Sequence, residues 1–199
     1  VGDYFGVSVS TDGNSMVVGA CNVDPGSYAD HGSAYVFTRS GTTWSLQAQL
    51  TASDGADADM FGTSVAVDGD TIVIGSYAND VGANVNQGSA YVFTRSGTTW
   101  TQQAQLTASD GAAGDLFGKS VAIGADTAVV GAINRHVGAN ADQGSAYVYE
   151  AASPTAGEVV SCDSAGNAGE QFVPGQSVYV KGRGLAPNTS YKIWIQDDP

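Results

Sequence analysis

The chain reads as an all-β protein in which four-stranded antiparallel units stand in tandem and are followed by a partial β-sandwich. Three observations predict this. An internal repeat recurs every 56 residues without a slip in register. The composition holds 27 Gly and only 14% charged residues, with many Val, Thr, Ser and Tyr, which suits strands joined by tight turns. The strand-like runs MVVGA, TIVIGS and TAVVGA are apolar or small at every position, so both of their faces must be covered.

The repeat is visible in two strings. DYFG begins at Asp3, DMFG at Asp59 and DLFG at Asp115; GSAYVF begins at Gly32 and Gly88 and returns as GSAYVY at Gly144. Within the second copy, residues 64–67 and 71–75 flank Asp68-Gly69-Asp70, the chemistry of a tight hairpin turn. Residues 89–94 make a third strand, and 100–107 a fourth of alternating character after the turn at 96–99. Each unit is a four-stranded meander. Stacking each sheet on the next copy covers both faces, which is the geometry of propeller blades.

The pairs Phe5-Gly6 with Gly19-Ala20, Phe61-Gly62 with Gly75-Ser76, and Phe117-Gly118 with Gly131-Ala132 resemble the Phe-Gly and Gly-Ala-Pro signature of the FG-GAP repeat. That family forms β-propeller blades, known from the integrin α-subunit head and from prokaryotic, including archaeal, surface proteins. The resemblance spans about residues 1–150 and implies a non-catalytic surface protein. This chain departs from the pattern twice. The proline is replaced by Cys21, Tyr77 and Ile133, and the integrin-type calcium loop between the first two strands is cut to a three-residue turn, too short to gather six to eight oxygens.

The units divide as blades at about 1–56, 57–112 and 113–152, the last incomplete because it stops where the others continue with TRSGTTW. Three blades are too few to close a propeller. More chain, or another chain, is expected to complete the array, and unpaired blade or strand edges make self-assembly into a polymer an expectation. The chain opens inside a repeat, as an internal piece or processed product would, so a signal peptide or anchor would lie outside it. A linker follows at 153–157, and 158–199 resembles the start of an immunoglobulin-like or fibronectin-like module. Its strands are read at 158–162, 177–181 and 191–196.

Twenty acidic residues against seven basic ones give a net charge of -13, which repels nucleic acid and anionic lipid. No apolar run is long enough to span a bilayer. Protein partners, including other copies of the chain, are expected, with glycan as the alternative, at an extracellular or cell-surface location. Enzymatic activity is not expected: His31 and His136 fall at different places in the repeat, and no nucleophile, base and orienting acid assemble from the repeated positions.

Two long loops recur in each unit. One carries Asp54, Asp57 and Asp59, and then Asp110 and Asp115; the other carries Asn79, Asp80, Asn84 and Asn86, with Asp24 and Asp30, or Asn140 and Asp142, in the neighbouring copies. Oxygen ligands of this kind suit calcium, so Asp54, Asp57, Asp59, Asp110 and Asp115 are candidate ligands. The spacing fits no standard chelation loop, and turn formation is the first reading. The recurring Asp3, Asp59 and Asp115 are expected to accept hydrogen bonds from loop amides. Trp44 and Trp100 are expected to pack between sheets rather than bind sugar. Cys21 and Cys162 are a candidate disulfide, with two separate thiols as the alternative, and Asn188 in Asn-Thr-Ser is a candidate glycosylation acceptor.

Overall fold

A computed structural model describes residues 2–26 and 29–150, together with the backbone of three short strands further on. The first repeat forms β1 (Phe5–Thr11), β2 (Ser15–Ala20), β3 (Ser33–Ser40) and β4 (Thr43–Leu50), an antiparallel sheet in sequence order. The second forms β5 (Ser64–Asp68), β6 (Thr71–Ser76), β7 (Ser89–Ser96) and β8 (Thr99–Leu106) in the same order. The third contributes β9 (Phe117–Gly124), β10 (Thr127–Ala132) and β11 (Ser145–Glu150). No helix among the described residues is long and apolar enough to cross a membrane.

The outer place beside β11 is taken by β14 (Ser190–Ile193), antiparallel, with Tyr147 opposite Lys192. The sequence assigned these residues to the sandwich. A sheet edge accepts any extended segment through backbone hydrogen bonds, so this pairing needs no repeat-specific side chain. Strands β12 (Val160–Ser161) and β13 (Val180–Lys181) pair with one another. The remainder of 151–199, including most of the expected linker and sandwich, lies outside the described residues.

Strand alternation explains how the second sheet serves two neighbours at once. Successive side chains of β6 point to opposite faces. Ile72 and Ile74 join Val17, Val36 and Leu50 of the first repeat in one core, while Val73 joins Phe117, Val130 and Tyr147 of the third in another. The expectation that neighbouring copies cover both faces therefore holds for the central sheet. In each core the phenylalanine of the Phe-Gly pair is the wedge. Phe61 lies 5.5 Å from Tyr91 and 6.2 Å from Phe93 between ring centroids, and Phe117 lies 5.4 Å from Tyr147 and 6.1 Å from Tyr149. Tilted and edge-on pairs of this kind suit the aromatic quadrupole.

Two glycines of the repeat have different physical duties. The glycine after each phenylalanine turns the chain into the first strand with φ of 94° at Gly6, 89° at Gly62 and 88° at Gly118, a region that side chains with a Cβ rarely adopt. The glycine of the Gly-Ala pair is required by proximity. A Cβ on Gly19 would overlap the carbonyl oxygen of Gly62, and one on Gly75 would overlap that of Gly118. Adjacent backbones thus approach too closely for any side chain. The resulting junction is bonded as well as packed: Ser8 Oγ donates to the Gly62 carbonyl at 2.8 Å, and Ser64 Oγ to the Gly118 carbonyl at 2.8 Å.

The fourth strands carry one bulge each. Register shifts between Val36 and Phe37, and between Val92 and Phe93, leave Gln47 and Gln103 as the extra residues. Gln47 accepts a 2.8 Å hydrogen bond from Trp100 Nε1, so the second tryptophan packs on the first core as expected, with the Arg95 guanidinium 5.1 Å from its ring centroid. Its counterpart Trp44 meets no preceding sheet among the described residues and is exposed.

Candidate functional site

The acidic loops meet where one repeat hands over to the next. The loop before β5 and the loop between β6 and β7 form a cleft of about 260 Å³ lined by Asp54, Asp57, Asp59, Asn79, Asp80 and Asn86. The carboxylates there are engaged by the loops themselves. The Ala56 amide donates to Asp59 Oδ2 at 2.7 Å, and Asn79 Nδ2 donates to the same oxygen at 3.2 Å. The Ala29 amide, from the preceding repeat, donates to Asp57 Oδ1 at 2.9 Å. Asp80 Oδ1 accepts from the Asn86 amide at 2.8 Å. The expected role of the aspartate before Phe-Gly is seen twice, since the Ala112 amide likewise donates to Asp115 Oδ2 at 2.8 Å.

Asp110 and Asp115 belong to a separate cluster at the third repeat. Tyr147 Oη donates to Asp110 Oδ1 at 2.8 Å, Arg135 Nη2 to Asp110 Oδ2 at 3.2 Å, and Arg135 Nε lies 3.5 Å from Asp115 Oδ2. The five aspartates picked out as candidate calcium ligands are therefore divided between two places rather than gathered in one. Among the described residues no group of three or more His, Cys, Asp or Glu is arranged to hold a metal ion.

Nothing in the repeat pattern singles out Arg135. It occupies the repeat position of Asn79 and performs the same task with a charge: both side chains hold the buried aspartate of the loop. Replacing Arg135 with Met should cost about 2 kcal/mol by leaving the Asp115 carboxylate, 2% exposed, without the guanidinium charge beside it. Arg135→Asn, which copies the second repeat, should restore part of that loss. Urea denaturation of the three proteins checks both outcomes.

Burial raises the Asp59 carboxyl above its ordinary value of 3.8, against the opposing pull of the Ala56 amide and Asn79. A raised value means the folded chain keeps this proton to higher pH than the unfolded chain does. Stability from this group is full below 3.8 and is lost as pH rises through the higher folded value. Asp59→Asn should flatten that loss. The test is the difference in urea midpoint between the two proteins, followed from pH about 3.5 to about 7; a difference that does not change with pH would show that Asp59 is not its source.

Other residues marked in the sequence are placed as follows. His31 is buried against Gly55, where a Cβ would strike its ring, and Gln87 covers Gly111 in the same way one repeat later. His136 is exposed and stands 3.3 Å from Asp142. Cys21 is a buried, unbridged thiol whose Sγ lies 3.3 Å from Asn22 Oδ1, and burial pushes its pKa up. Cys162 and Asn188 lie outside the described residues.

Among the described residues the outer face of the first sheet is uncovered. Phe5 is 58% and Val9 67% exposed, whereas Phe61 and Val65, at the same repeat positions, are 0% and 7% exposed. At the far end of the array, Val129 of the third sheet is 36% exposed while its counterparts Val17 and Val73 are fully covered. Among the described residues these two faces expose side chains whose counterparts are buried at the internal junctions.

No individual curated protein matches the chain. The family model for the FG-GAP repeat matches at residues 1–37, 44–93 and 100–149. These three matches follow the 56-residue period and carry the Phe-Gly wedge and the close-approach glycine of both inter-sheet junctions, and on them the chain belongs to the FG-GAP repeat family.

Proposed function

We propose that this chain is a non-catalytic structural and adhesive module of an extracellular or cell-surface protein, in which stacked blades join further blades or subunits. The observation that carries the reading is the pair of exposed end faces, which repeat the surfaces buried at the two internal junctions. Proteins of one sheet per repeat bury core only by stacking, so an end repeat without a polar outer face calls for a partner. Among the described residues nothing covers the first repeat in this way, since Tyr4, Phe5, Val7 and Val9 are all exposed. Residues from 158 onward, apart from β14, which pairs with β11, are read as part of a companion sandwich-type module of the same surface protein. The polar chemistry supports the absence of catalysis, since the buried aspartates are held by loop amides, Asn79 and Arg135 rather than poised beside a nucleophile.

Sedimentation velocity at rising protein concentration, with electron microscopy of the same samples, tests the reading. Mass that grows with concentration is expected. The growth should be stronger at higher salt, because a net charge of -13 sets copies against one another and salt screens that repulsion. Particles that remain monomeric throughout would remove assembly from the function.

A further inference from the structure

We draw no further inference here: the strongest candidate, the acidic cleft of Asp54, Asp57, Asp59 and Asp80 between the loop before β5 and the loop joining β6 to β7, belongs to the site already described, and no second observation in the structure points to what would enter it.

Discussion

Phe61→Ala should cost about 3–5 kcal/mol of stability, whereas Phe5→Ala should cost less than about 1 kcal/mol. The two phenylalanines occupy the same repeat position and sit in nearly the same local sequence. Phe61 is fully buried between the first and second sheets, with Tyr91 and Phe93 on its ring, while Phe5 touches Tyr35 and Phe37 of its own sheet and is 58% exposed. A buried phenylalanine removes about 150–250 Å² from water, which at about 25 cal/mol per Å² is about 4–6 kcal/mol before the cavity relaxes. Urea denaturation in dilute protein, where chains stay apart, measures both values. Equal costs at the two positions would mean that stacking between repeats is not what stabilises the array. Because stability in a repeat array is a sum of units and nearest-neighbour interfaces, Phe61→Ala should also broaden or split the transition as the first repeat uncouples.

Gly75→Val should be nearly as damaging, at about 3–4 kcal/mol. Its Cβ would fall on the Gly118 carbonyl oxygen and on Ser64 Oγ. The carbonyl is backbone held in the third sheet, so the second and third sheets must part and the Ser64 to Gly118 hydrogen bond is lost with them. Gly124→Ala is the internal control. Nothing lies within 4 Å of its Cβ position and its φ is not in the left-handed region, so the change should be neutral or stabilise by a few tenths of a kcal/mol. Thermal melts of the two variants separate the outcomes, and a Gly75→Val protein with wild-type Tm would show that the sheets do not approach as closely as described.

Much of the fold could be read in advance because its signals are local. The turn at Asp68-Gly69-Asp70 became a tight connection with Asp68 opposite Thr71, and the four-strand order of the first two units followed from the alternation and the turns. The packing role of Trp100 and the loop-capping role of Asp59 and Asp115 were legible from their recurrence. Arg135 was not, because it breaks the repeat rather than following it: its meaning lies in substituting for Asn79 beside an aspartate twenty residues upstream. The serine bonded across each junction was in view in every copy, at Ser8, Ser64 and Ser120, but in a strand rich in Ser and Thr nothing local distinguished it.

The amino-acid order alone determined the 56-residue period, the strands of the first two units and their order, and the need to cover both sides of each sheet, since periodicity and turn chemistry act over a few residues. Only the tertiary structure decided which copies of one motif are covered. Phe5, Phe61 and Phe117 share a motif, yet the first is exposed and the others are buried. Burial depends on a neighbouring sheet about one repeat away in the chain, and the first copy has no such neighbour within the described residues, a long-range condition that no short window of sequence contains.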